Sequence, residues 1–235
     1  MKVCKNCLNE GENNYCNVCG SAYEVKRITL GNILNEVLHT FSHFDKGFLY
    51  SLKQLTLHPG SMQRKYLDGQ RTRNQKPFAM FFFCATLYGL AEYFIISPGI
   101  NKDEHDLNQA TIYFYRHYFI FLQTALTPVY TLIFWLLFKS KEFNYAEALV
   151  TFLYSMCYLL LLLIPINMVN LIPGHINEQL IEIPLLSLYL IWTNLNFFKN
   201  KKAFWVIMKS IILLITVEYI SNQLMHFIII NKLFH

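Results

Sequence analysis

Four of the six cysteines fall in two C-x-x-C pairs, Cys4-Lys-Asn-Cys7 and Cys16-Asn-Val-Cys19, with eight residues between the pairs and Gly20 directly after the second. Two intervening residues let a tight turn aim both thiolates at one ion, and two such knuckles complete a tetrahedral sulfur set. Cys4, Cys7, Cys16 and Cys19 are therefore expected to hold one Zn2+ per chain. Four protein ligands leave no position for water or substrate, so that zinc is structural. Two disulfides or a redox pair are the competing readings. An N-terminus on the cytosolic side disfavours the first, and the lack of a βαβ pattern around either pair disfavours the second. Cys84 and Cys157 lie in apolar stretches and read as small packing residues.

A second set of chemically capable residues follows at 58–77, where His58-Pro59-Gly60-Ser61 precedes Arg64-Lys65-Tyr66-Leu67, Gly69, Arg71, Arg73, Lys76 and Pro77. Pro59-Gly60 reads as a turn, Ser61 as the cap of a short helix through Leu67, Gly69 as its stop, and Pro77 as the first turn of an apolar helix. Arg64, Lys65, Tyr66, Arg71 and Arg73 are the candidate lipid- or partner-binding residues. Two readings stand: positive charge that anchors topology on an anionic leaflet, or a specific headgroup, phosphate or partner site.

The third set lies inside apolar sequence: Glu92, Glu218, Asn222 and His226. Ionisable groups in a membrane are costly to bury unless paired or wetted, which makes them functional candidates. Glu92 comes 14 residues after Phe78 and Glu218 comes 14 after Phe204, so the two carboxylates are expected at a common level. Either they line a proton or cation path, or they serve as interhelical hydrogen-bonding groups. No nucleophile with a base at useful spacing, phosphate-binding loop or H-E-x-x-H motif accompanies them, so catalysis is not expected.

These residues need elements to position them. Hydrophobic residues make up 54% of the 235 positions and charged ones only 15%, too few charges for a soluble chain of this length. Stretches at 78–96, 118–138, 146–164, 180–198 and 204–230 each approach the roughly 20 apolar residues that a helix needs to cross a bilayer. The soluble alternative would have to hide five helices apolar on every face in one modest domain. The predicted fold class is thus an all-α integral membrane protein of about five transmembrane helices, with a small N-terminal zinc ribbon and amphipathic juxtamembrane helices. Its parts are a ribbon at 1–25, a basic juxtamembrane arm at 26–77 and a helical bundle at 78–235. In the arm, Leu30, Ile33, Leu34, Val37, Leu38, Phe41 and Phe44 form a helical stripe, continued by Phe48, Leu49, Leu52 and Leu55. Such helices either lie in the headgroup interface or cap the bundle.

Charge supplies an orientation. Residues 1–77 carry 11 Lys and Arg against 6 Asp and Glu, whereas 78–235 carry 9 of each. With the N-terminus cytosolic, 17 of the 20 basic residues fall inside, which predicts a multi-pass inner-membrane protein whose C-terminus is outside. The first 25 residues are polar and cysteine-rich, unlike a secretory signal.

The double knuckle, the Leu55-x-Leu57-His58-Pro59-Gly60 run, the Arg64-x-Tyr66-Leu67-x-Gly69-x-Arg71 string and Pro77 opening a span together resemble an uncharacterised family of bacterial membrane proteins, known as a domain of unknown function. The resemblance spans residues 4–97 and implies architecture but no activity. Together these features point to a membrane adaptor or regulator that presents a cytosolic ribbon and a basic arm to anionic inner-leaflet lipid or to a cytosolic or membrane protein. The alternative is a small transporter or channel using Glu92 and Glu218. Nucleic acid is not an expected partner, because Glu10, Glu12 and Glu24 offset the few basic residues of the ribbon.

Overall fold

A two-stranded antiparallel ladder opens the chain, β1 (Lys2–Val3) pairing with β2 (Glu10–Gly11), and an isolated antiparallel bridge joins Tyr15 to Ala22. The computed structural model describes residues 1–25, 27–33, 47–96, 107–140, 143–169 and 179–233. Among the described residues, the helices bounded at both ends are, in chain order, α1 (Phe48–Leu57), α2 (Pro59–Leu67), α3 (Pro77–Ala91, running into a π turn at Glu92–Ile96), α4 (Leu107–Phe138), α5 (Tyr145–Met168), α6 (Gln179–Phe197) and α7 (Ala203–Leu233).

Five helical stretches are long and apolar enough to cross a membrane: Pro77–Phe94, Ile120–Phe138, Tyr145–Met168, Leu180–Phe197 and Ala203–Leu224. All five expected stretches are present, with ends shifted by a few residues. Helix α5 is the hub, packing against α1, α2, α3, α4 and α6. Its spanning stretch is 61% buried, against 22% for α6 and 17% for α7, whose apolar faces point outward. Small residues on α5 (Ala146, Ala148, Ser155, Cys157) admit close neighbours, so the helix can be surrounded without leaving voids.

Two clusters flank α5. One unites Leu55, Met62, Tyr66, Met80, Cys84, Leu153 and Tyr154 from α1, α2, α3 and α5. The other is aromatic, with Phe134, Phe138, Phe143, Phe152, Phe197 and Phe198 joining α4, α5 and α6, and Phe138 stacked on Phe198 at 4.5 Å. The α4 C-terminus is closed by two lysines, Lys209 donating to the Leu137 carbonyl at 2.6 Å and Lys201 to the Phe138 carbonyl at 3.4 Å. Cations suit the negative end of a helix dipole.

The arm does not simply skirt the bundle. Helices α1 and α2 form a helical hairpin that reaches deep along α6: the Tyr189 hydroxyl donates to the Leu55 carbonyl at 3.4 Å, and Tyr189 sits near the middle of α6. Its first turn corrects one expectation. Ser61 caps nothing; α2 begins at Pro59, with His58 as the shared boundary residue of both helices. A residue before proline avoids the helical region, and Pro itself fits the first helical position, so the break falls at His58.

Gly60 then explains the tight seating of α2. A Cβ there would stand 2.0 Å from the Thr193 carbonyl oxygen and 2.4 Å from the Phe197 nitrogen, so only glycine lets the two backbones touch. At the other end of α2, Gly69 adopts φ +112°, its N–H bonding Tyr66 O while Gln70 N–H bonds Lys65 O. That is the double-bonded left-handed cap expected of a C-terminal glycine. Of the amphipathic stripe, Ile33 is buried against the main core; Leu34, Val37, Leu38, Phe41 and Phe44 lie outside the described residues.

Candidate functional site

The ribbon builds its sulfur cluster from two similar turns. Cys4 O accepts from Leu8 N–H and Cys16 O accepts from Gly20 N–H, both at short range (2.9 and 2.8 Å). Leu8 and Gly20, each following the second cysteine of its pair, have positive φ (62° and 69°). The four Sγ atoms lie within 4.8 Å of one another, Cys4 approaching Cys19 and Cys7 approaching Cys16 at 3.5 Å. All four are free thiols. Four thiols in this arrangement can hold one metal ion.

Their electrostatics point the same way. Backbone N–H groups, that of Cys19 foremost, push the Cys16 thiol down to about 6. Cys19 is lowered as well, first by the Asn6 side chain and then by the Ser21 backbone. Although the Asn9 N–H favours a Cys7 thiolate, desolvation and the three neighbouring sulfurs push Cys7 up to about 12. Like charges this close cannot all ionise together without a cation between them. Tyr23 packs against Cys4 and Cys16 and closes one side of the cluster.

The segment leaving the ribbon is pinned to the bundle. Arg27 grips Glu147 through two bonds, Nε to Oε1 at 2.8 Å and a terminal nitrogen to Oε2 at 3.0 Å. Glu147 is also half of the capping box that starts α5: its N–H donates to Asn144 Oδ1 at 2.8 Å, and Asn144 N–H donates to Glu147 Oε2 at 2.9 Å. Asn144 Nδ2 reaches the Ile28 carbonyl at 3.2 Å. Val25 meanwhile sits against Gly69. Glu147 is not among the candidate residues that the sequence offered. The Asn144-x-x-Glu147 spacing is a capping-box signature and could have exposed the cap; nothing local could have named Arg27 as its partner.

The basic string divides. Tyr66 is buried at 5% exposure, its ring edge-on to Tyr154 at 5.3 Å. Arg71 bonds the Tyr66 carbonyl at 3.2 Å and lies over the Tyr66 ring at 5.6 Å, so both shape the exit of the hairpin. Arg64, Lys65 and Arg73 are exposed. The residues between hairpin and α3 are fastened internally: Gln75 N–H donates to Ser51 Oγ at 2.7 Å, and the Tyr154 hydroxyl donates to the Gln75 carbonyl at 2.5 Å.

The intramembrane carboxylates occupy different environments. Glu92 is buried at the start of the π turn, on the same face as Tyr88, whose hydroxyl accepts from Asn167 Nδ2 at 3.1 Å. Glu218 is exposed on α7 and accepts from Asn222 Nδ2 at 3.2 Å. The side chain of His226 lies outside the described residues.

One protein family, described as "Protein of unknown function (DUF3667)", matches residues 45–89. That stretch holds the α1–α2 hairpin, its return loop and the first part of α3, and leaves out the cysteine pairs. No curated protein and no solved structure matches the chain.

Proposed function

We propose that the chain is a non-enzymatic membrane adaptor or regulator, in which a zinc-organised ribbon on the cytosolic side offers a binding surface to a partner and the helical bundle anchors it at the inner membrane. The observation that carries this reading is the Arg27–Glu147 fork, which docks the ribbon's exit segment onto the capping box of the central helix. A ribbon held by a bidentate pair and two further contacts is a positioned module, not a tethered one. Zinc suits the sulfur set: a tetrahedron with Zn–S near 2.3 Å has sulfur–sulfur edges of about 3.8 Å, inside the 3.5–4.8 Å range of the cluster. Cys4, Cys7, Cys16 and Cys19 would hold the ion, whose contribution is to fold a unit too small for a core of its own.

The test is crosslinking in native membranes, comparing wild type with Cys4→Ser, Cys16→Ser and Arg27→Gln. Loss of the same partners in all three supports a docked ribbon, and an unchanged partner set ends the adaptor reading. Purified protein should carry about one zinc per chain and lose it on Cys7→Ser. A folded ribbon without metal would overturn the zinc assignment. The transporter alternative draws on the burial of Glu92. It requires a substrate flux in reconstituted vesicles that Glu92→Gln or Glu218→Gln abolishes; Glu218 is exposed on α7.

A further inference from the structure

A cleft of about 450 Å³ opens between α2, the residues Ser140 and Phe143 near the facing ends of α4 and α5, and the α6–α7 turn. Its charged walls are Arg64 and Lys65 from α2 and Lys199 and Lys201 from the α6–α7 turn, and no carboxylate lines it among the described residues. Ser61 and Asn196 add neutral polar groups. Phe197 and Phe198 lie beneath two of the cations, with Arg64 5.8 Å from the Phe197 ring centre and Lys201 5.0 Å from that of Phe198. Cations held over aromatic faces are oriented without being neutralised. Among the described residues, Asp68 meets Arg64 at 3.7 Å as an exposed pair, and such pairs are weak in water.

Burial, and then the charge of Lys209, hold the Lys201 ammonium below the usual lysine range. Among the described residues no carboxylate enters the cleft, and Asp68 beside Arg64 lies outside it. Four cations converging on one concavity from segments far apart in sequence make a focused positive field, suited to an anion with several acceptor oxygens.

We propose that this cleft binds a phosphate-bearing ligand, the anionic group held among Arg64, Lys65, Lys199 and Lys201 and its organic remainder lying along Phe197 and Phe198. The volume exceeds what a bare phosphate needs and falls in the range of small-molecule sites. A phospholipid headgroup or a soluble phosphate ester presents the same chemistry. The proposal deepens the reading of the basic arm as a lipid- or partner-facing element, and it does not depend on the ribbon having a partner.

The experiment uses purified full-length protein in a neutral detergent. Native mass spectrometry follows retention of added phosphatidylglycerol against phosphatidylcholine, and calorimetry follows binding of glycerol 3-phosphate and inorganic phosphate. Lys65→Gln and Lys199→Gln should each weaken anion retention about tenfold, the worth of one charge-assisted contact. Lys202→Gln, which removes a neighbouring charge outside the cleft, should leave it unchanged, and Lys199→Arg should restore it. Binding of the lipid alone identifies a headgroup site, and binding of the soluble ester identifies a metabolite site. Equal retention of both lipids with no uptake of either soluble anion overturns the proposal, as does an equal loss in Lys202→Gln. Because Lys65 and Lys199 are exposed, unchanged thermal unfolding of both variants separates lost binding from lost fold. Anion binding by the wild type together with a partner set that Cys4→Ser leaves unchanged would retire the adaptor reading and leave the site standing.

Discussion

At the residue scale, buried polar groups define this bundle as much as apolar ones do. Gln63 is fully buried and donates to Ser155 Oγ at 3.0 Å, while Ser155 itself donates to the Thr151 carbonyl. Removing one partner of a buried bond leaves a desolvated group unmatched, at a cost of about 1–3 kcal/mol, whereas replacing both with apolar groups of similar shape is nearly neutral. Ser155→Ala alone should therefore destabilise the protein in a detergent unfolding assay, and the added change Gln63→Leu should recover most of the loss. Additive losses from the two substitutions would count against a direct pair. The Arg27–Glu147 fork belongs to a different class. Its arginine side chain is 53% exposed, so its energetic worth is discounted by solvent and its main consequence is placement. The capping role of Asn144 adds about 1 kcal/mol of the kind expected for an N-cap side chain.

At the element scale, the α1–α2 hairpin is the unusual part. Ten and nine residues give helices of about 15 and 14 Å, half of what a span requires. Such half-length helices persist at depth only where protein covers their free backbone groups. Helices α3, α5 and α6 supply that cover, and the backbone contact at Gly60 is its tightest point. Gly60→Ala should force α2 away from Thr193 and Phe197 and cost about 1–3 kcal/mol or more, because backbone atoms cannot yield as a flexible side chain can. Thermal unfolding in detergent reads this directly. A Gly60→Ala protein as stable as wild type would show that the two helices separate freely. The family match at 45–89 coincides with this hairpin, its return loop and the start of α3. Those positions include Pro59, Gly60, Gly69 and Pro77, each of which has a backbone reason for its identity: a helix start, a close approach, a left-handed cap and a second helix start.

At the scale of the whole molecule, the five helices long and apolar enough to cross a membrane carry a prediction: the segments before α3 and after α7 report from opposite faces. The ribbon, the α4–α5 connection and the α6–α7 turn then share one face. The geometry agrees, since Arg27 meets Glu147 at the start of α5 and Arg64 meets Phe197 at the end of α6. Reporter fusions after residues 25, 140 and 200 should give one signal and a fusion after residue 100 the other. A ribbon and an α6–α7 turn reporting from opposite faces would sink the five-span arrangement. With 17 of the 20 basic residues expected on the ribbon face, the positive-inside rule predicts that the signal from that face is the cytosolic one.

How much of this was legible in the residues follows from what is local. The cysteine pairs, the apolar stretches and the glycine and proline breaks are set by spacing along the chain, because a knuckle, a membrane-crossing helix and a cap each depend on neighbours within a few positions. Ser61 was misread as a cap because the capping alphabet favours serine, while the proline two residues earlier had already started the helix. The charge of the arm was legible, but its division was not: Tyr66 and Arg71 turn inward against one another while Arg64 and Lys65 face a cleft. Tertiary structure alone decided that Gly60 lies on the backbone of α6, that Arg27 closes on Glu147 across 120 residues, and that Lys65 shares a wall with Lys199. Such pairings depend on which helices become neighbours, a property of packing in three dimensions that no spacing along the chain encodes.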